Sequence, residues 1–297
     1  MKRRLTRFLS AWVMLVLTGG AAPAAQPVSL RDARGVEIRL EQPARRIVTL
    51  TPHLTELVHA AGAGARLVGV ARFSDYPQPV RKLPVISDAG QFDLERILAL
   101  HPDLVLAWQS GTPAGAVARL ERLGLPVFVS DAARLEDIVR TVEVIATLAG
   151  TLSASAAARA ALDGDLRSLR ARRHPGAPVR VFYEIWPRPL MTVNGDHIIS
   201  DVIRLCGGVN VFADLRVLTP EVSREALMTA RVEAALGGGS ADAAGRFSAR
   251  WAALPPPLNA VPAYFIPPDL IQRPTPRLFE GARLVCEHLD AVRAARR

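Results

Sequence analysis

The sequence predicts an α/β protein, two Rossmann-like α/β lobes joined by a single long α-helix. Three observations predict it. From Arg46 to Ala149, short β-rich apolar runs alternate with helical segments, the pattern of βα units on a mostly parallel sheet. The stretch Ser153 to Arg172 is then rich in Ala, Leu and Arg, with no proline and only Gly164 as a glycine. As one helix it would run about 30 Å. The βα alternation restarts at Val179. A length of 297 residues holds two such units of about 150 residues each.

Each element has its own reason. Val28 to Leu40 alternates apolar and polar residues around Asp32-Ala33-Arg34-Gly35, which reads as a hairpin with a turn at its tip. Arg46 to Leu50 is a buried strand, broken by Thr51-Pro52-His53. Leu54 to Ala61 follows as a helix that Gly62 and Gly64 stop. A strand at Leu67 to Val70, a helix at Leu94 to Leu100 and a strand at Leu104 to Ala107 come next. The first half closes with a helix (Ala114 to Leu123), a strand (Val127 to Val129) and a helix (Leu135 to Ala149). His174-Pro175-Gly176 ends the long central helix. Beyond it come strands at Val179 to Ile185 and Met191 to Val193, then a helix at Ile198 to Leu205 before Gly207-Gly208. The halves echo each other weakly: Glu95 opens a helix before Pro102-Asp103-Leu104, and Glu225 opens one before Ala234-Ala235-Leu236.

The N-terminus reads as a removable export leader. Lys2, Arg3, Arg4 and Arg7 precede an apolar run from Phe8 to Leu17, and Ala22-Pro23-Ala24 offers the small residues of a cleavage site. The run is too short to span a bilayer of about 30 Å. Of the net charge of +9, four positive charges belong to this leader. No basic stretch is interleaved with aromatics, so no nucleic-acid partner is expected. The layout is then a signal peptide at 1–24, an N-terminal lobe at 25–150, a connecting helix at 151–174 and a C-terminal lobe at 175–297. Export into an oxidising compartment leaves two readings for Cys206 and Cys286, a disulfide or two buried thiols. Neither HExxH nor G-x-S-x-G occurs, so no metal site, catalytic set or enzyme activity is read from the chain.

Several segments resemble the periplasmic cobalamin-binding proteins that feed ABC importers. They are Arg46-Ile47-Val48-Thr49-Leu50-Thr51-Pro52-His53-Leu54-Thr55-Glu56-Leu57, Ser74-Asp75-Tyr76-Pro77, Asp93-Leu94-Glu95-Arg96-Ile97 and Pro102-Asp103-Leu104-Val105-Leu106-Ala107-Trp108. Cys206-Gly207-Gly208-Val209-Asn210-Val211-Phe212 and Val222-Ser223-Arg224-Glu225 complete the set. The resemblance implies a ligand lying flat in a cleft between the lobes. It makes Tyr76 and Trp108 aromatic walls and Asp269 and Arg273 polar contacts from the second lobe. It makes Glu95 and Glu225 the carboxylates that dock on an inner-membrane permease coupled to its ATPase, and Cys206–Cys286 a disulfide. The corrinoid is then cargo, not cofactor, and the carrier is periplasmic and monomeric.

The chain also departs from that pattern. Ala89 and Thr219 stand where the family can have tryptophans, and Trp186 is the candidate replacement wall. The stiff central helix argues against large hinge closure. Two alternatives keep or change the class: the same fold with haem or a ferric siderophore, where Tyr76 or His53 would be an axial ligand, or an exported α/β hydrolase.

Overall fold

Each half of the chain builds a four-stranded parallel sheet in the computed structural model, which describes residues 26–88, 91–238 and 244–296. The leader assigned to residues 1–24 lies outside the described residues, as does Ala89.

The chain opens with the antiparallel hairpin β1 (Val28–Arg31) and β2 (Glu37–Leu40). Buried Asp32 holds its turn by accepting from the Arg34 and Val36 N–H groups at 2.9 and 3.1 Å. Then follow β3 (Ile47–Thr49), α1 (Pro52–Ala60), β4 (Leu67–Val70) and a two-residue hairpin, β5 (Ser87–Asp88) with β6 (Gln91–Phe92). The half continues with α2 (Leu94–Ala99), β7 (Leu104–Trp108), α3 (Ala114–Arg122), β8 (Val127–Ser130) and α4 (Leu135–Leu148). Its sheet order is β4-β3-β7-β8, every pair parallel.

Helix α5 (Ala156–Ala171) connects the halves; its 16 residues span about 24 Å. It is shorter than the sequence suggests because the chain turns at Leu152 to Ser155 before the helix begins. The second half runs β9 (Val179–Glu184), the hairpin β10 (Trp186–Pro187) with β11 (Leu190–Met191), α6 (Ile198–Leu205), β12 (Gly208–Asn210) and α7 (Arg224–Thr229). It ends with β13 (Ala234–Gly237), α8 (Ala244–Ala252), β14 (Ala263–Phe265), α9 (Pro268–Ile271) and α10 (Leu278–Ala295). Its sheet order is β12-β9-β13-β14, again all parallel.

Residues 191–193 are therefore not a strand of the main sheet. Pro187 and Pro189 interrupt the segment, and what remains is a small antiparallel hairpin beyond the carboxyl end of β9. The helix after β3 starts earlier than its hydrophobic spacing suggests. Pro52 occupies a first-turn position, where its missing N–H costs nothing, so His53 is helical.

Side-chain alternation explains the layers. In β7, Leu104 and Leu106 join the core beneath α1 and α4, while Val105 and Ala107 join Ile97, Val117 and Leu120 on the opposite face. In the second sheet Val179, Val181 and Tyr183 belong to the same continuous core as Leu104, and Phe182 packs with Phe247 and Trp251 on the other side. Sheets buried on both faces need the near-continuous apolar strands seen here. Across the halves, the Leu135 N–H at the start of α4 donates to Asp201 Oδ2 of α6 at 3.1 Å, filling one of the vacant bonds of a helix start. Cys206, at the end of α6, is bonded to Cys286 in the middle of α10, with Cα atoms 4.6 Å apart.

Candidate ligand cleft

In parallel α/β sheets, ligands bind beyond the carboxyl ends of strands. The residues that sequence reasoning brings forward are largely found there. Trp108 is the last residue of β7, Tyr76 follows β4, Trp186 follows β9, and Asp269 and Arg273 follow β14.

Trp108 is locked by three neighbours. Its Nε1–H donates to Asp131 Oδ1 at 3.1 Å, its backbone N–H donates to Thr112 Oγ1 at 3.0 Å, and its ring meets His53 edge-on at 5.0 Å. A Cβ on Gly111 would lie 2.1 Å from Trp108 Cε3, so only glycine lets this loop lie against the indole. Trp108 lines a cavity of about 160 Å³ whose walls come from both halves, with Asp131 and Ala132 facing His197, Leu218 and Gln272.

Tyr76 does not share that cavity. It lines a separate one of about 410 Å³ with Glu56, Asp165, Arg277 and Phe279, and the Arg277 guanidinium sits 4.4 Å above its ring. Trp186 lines neither cavity. Trp186 is 59% exposed, and its Nε1–H donates to the Arg188 carbonyl at 2.9 Å.

Arg273 joins the halves. Gln272 and Pro274, its sequence neighbours, line the Trp108 cavity. Its guanidinium reaches Asp75 Oδ1 at 3.1 Å and Glu56 Oε1 at 3.4 Å, both in the first half. The pair with Asp269 exists at 3.3 Å, yet α9 ends at Ile271, so the contact is a bend around the helix end rather than a helical rung.

Sequence reasoning missed three residues here: Glu56, Arg277 and Phe73. Glu56 is buried in α1 and accepts from Arg277 Nη2 at 2.7 Å and Nε at 2.9 Å across the halves. Phe73 is 70% exposed at a left-handed φ of 67°, and its carbonyl accepts from Arg273 Nη2 at 3.5 Å. Strained backbone positions cluster at binding and catalytic sites, which makes Phe73 a candidate contact. Its only advance signal is its position just before Ser74-Asp75-Tyr76-Pro77.

Glu56→Ala should lower stability by about 3 kcal/mol, since it removes the buried carboxylate that Arg277 grips with two hydrogen bonds and leaves that arginine only Asp269 at 3.7 Å. Urea denaturation measures it; a loss under about 1 kcal/mol would mean that solvent replaces the carboxylate.

The histidines near the cleft are neutral. Burial, helped by the charge on Arg273, pushes His53 down to about 3. Burial pushes His197 down to about 4, with Asp131 opposing. His197 Nδ1 accepts from the Ile199 N–H at 3.2 Å and caps α6.

Glu95 and Glu225 stand apart from the cleft walls, exposed on two six-residue helices. Hydrogen bonds from its own backbone N–H and from Ser223 hold the Glu225 carboxyl below its usual range, so it is an anion at neutral pH.

Comparison with known proteins agrees with this architecture. The vitamin B12-binding protein of Vibrio parahaemolyticus is 35% identical over 255 residues, covering 86% of this chain and 93% of that protein. The vitamin B12-binding protein of Yersinia pestis is 35% identical over 251 residues, covering 84% and 88%. The crystal structure of the periplasmic vitamin B12 binding protein of Vibrio cholerae superposes with a TM-score of 0.78 at 32% identity, covering 84% of this chain and 98% of that one. The periplasmic heme binding protein of the same organism shares the fold at 22% identity, with a TM-score of 0.67 and coverage of 82% and 98%. The periplasmic binding protein family matches residues 47–249, and this chain belongs to it.

Proposed function

We propose that the protein captures cobalamin or a related corrinoid in the periplasm and delivers it to an inner-membrane ABC permease and its ATPase. The observation that carries this reading is the 35% identity to vitamin B12-binding proteins along 86% of the chain. The protein acts as a monomeric carrier without catalysis, and the corrinoid is its cargo.

The cleft chemistry suits such a ligand. A corrinoid offers broad apolar faces fringed by amides, so it calls for aromatic walls and a few hydrogen-bonding groups. Phe73, Trp108 and Trp186 supply the walls, and Asp269 and Arg273 supply the polar contacts. Trp186 takes over a wall where Thr219 carries none. The 160 Å³ space beside Trp108 is smaller than the roughly 300–1,000 Å³ of drug-sized pockets. The macrocycle therefore lies across the cleft mouth, and Arg273 exchanges Asp75 for the ligand. That exchange is cheap, because the Asp75 side chain is 48% exposed. The haem reading loses one of its two axial candidates, since His53 is buried against the Trp108 edge.

Glu95 and Glu225 dock on the permease, one per half, by pairing with arginines there.

Isothermal titration with cyanocobalamin, cobinamide and haem tests the cargo. Trp108→Ala should weaken corrinoid binding about 30-fold, in the range of buried aromatic anchors. Phe73→Ala should weaken it about tenfold without changing the unfolding midpoint, because that ring buries little in the free protein. Silence toward both corrinoids with a haem response would replace the cargo and keep the carrier.

A further inference from the structure

The two helices that bear Glu95 and Glu225 are held by the same device, built twice. Each has six residues and a side chain that caps its start: Asp93 Oδ1 accepts from the Arg96 N–H at 2.9 Å, and Ser223 Oγ accepts from the Ala226 N–H at 3.1 Å. Each glutamate is the second helical residue. The chain leaves each helix through a non-glycine residue in the left-handed region, His101 at φ 45° and Arg231 at φ 49°.

An arginine at the start of a central strand then grips each exit, Arg46 just before β3 and Arg180 in β9. Arg46 donates through Nε and Nη2 to the Leu100 carbonyl at 3.0 and 2.7 Å, and through Nε to the His101 carbonyl at 3.1 Å. Arg180 donates through Nε and Nη2 to the Ala230 carbonyl at 3.3 and 2.8 Å, and through Nε to the Arg231 carbonyl at 3.2 Å. The backbone N–H of each arginine is itself fixed by a carboxylate, Asp103 at 2.9 Å and Glu233 at 2.8 Å. The register is equivalent: Arg46 precedes Ile47, which pairs with Leu104, and Arg180 precedes Val181, which pairs with Ala234.

A helix this short is marginal alone, and its last carbonyls lack partners. It spans about 9 Å, so a tilt at its exit moves the glutamate at its start. Two carboxylates that engage one rigid partner together need a fixed separation; a misplaced one forfeits the gain of the second contact. Resting on the docking reading above, we propose that Arg46 and Arg180 are paired positioning residues that set the spacing of Glu95 and Glu225 for two-point docking on an arginine-bearing permease face. Lysine cannot substitute, because one ammonium does not reproduce the fork over two carbonyls.

The test is the affinity of corrinoid-loaded protein for its cognate permease–ATPase complex in lipid nanodiscs. Arg46→Gln and Arg180→Gln should each weaken it about tenfold while cyanocobalamin affinity stays within about twofold. A double-mutant cycle separates positioning from mere structure. If Arg180 acts through Glu225, adding R180Q to E225Q costs nothing further, whereas fully additive losses would overturn the proposal. Unchanged permease affinity in both arginine variants would overturn it too. If E95Q and E225Q themselves leave affinity unchanged, the docking reading falls, and that result is distinct from failure of the clamp alone. Should a glutamine variant fold poorly, spin labels on E95C and E225C give a second readout. Their distance distribution should broaden in Arg180→Lys, and an unchanged width would overturn the clamp.

Discussion

Replacing Cys206 and Cys286 together by alanine will cost about 4 kcal/mol of folding stability. The bond closes a loop of 80 residues, and in the chain-entropy model a loop of that length removes this much freedom from the unfolded chain. The folded protein loses little else, since both side chains are fully buried and alanine keeps most of the packing. The effect should appear as a lower urea midpoint with an altered slope, because the unfolded state expands when the loop opens. Parallel urea curves for the parent and the double variant decide it. A difference below about 1 kcal/mol would show that the unfolded ensemble of the second half is already compact without the bond.

Acid will destabilise the protein by about 4 kcal/mol between pH 7.5 and pH 5. The folded protein protonates His53 only near pH 3 and His197 near pH 4, whereas an unfolded histidine titrates near 6.5. The stability is whole above pH 6.5. As pH falls below that value the unfolded chain takes up protons the folded chain refuses, and each pH unit costs about 1.4 kcal/mol per histidine. The loss levels off for each residue below its folded pKa. His53→Gln combined with His197→Asn should flatten the profile, and asparagine retains the cap on α6. A parent whose urea midpoint is level from pH 7.5 to 5 would rule the account out.

Much of the fold was legible because both sheets are buried on two faces. Val48, Val105 and Val127 serve one layer while Ile47, Leu104 and Phe128 serve the other, so each strand is a short apolar run with nothing to confuse it. The hairpin at Trp186 to Met191 was harder to read. Its apolar residues look like a strand, and only the two prolines say otherwise. The cleft was legible in its residue types and not in its grouping. Tyr76 and Trp108 both sit at or beyond strand ends, yet they line different cavities, and Arg277, just before α10, covers the ring of Tyr76. Arg277 and its partner Glu56 are 221 residues apart, a pairing that no local pattern announces. Phe73 was missed for a related reason: its importance lies in a backbone angle and an exposure, neither of which a residue type declares.

In both sheets the first strand is flanked by the second and third, and the fourth lies outside the third. The two sides of the cleft therefore offer a planar guest much the same backbone terrain. A guest with two unlike faces cannot learn from the scaffold which way up to lie. On the proposed cargo reading, side chains alone would set its orientation, with Phe73 and Trp108 on one bank and Trp186 and Arg273 on the other.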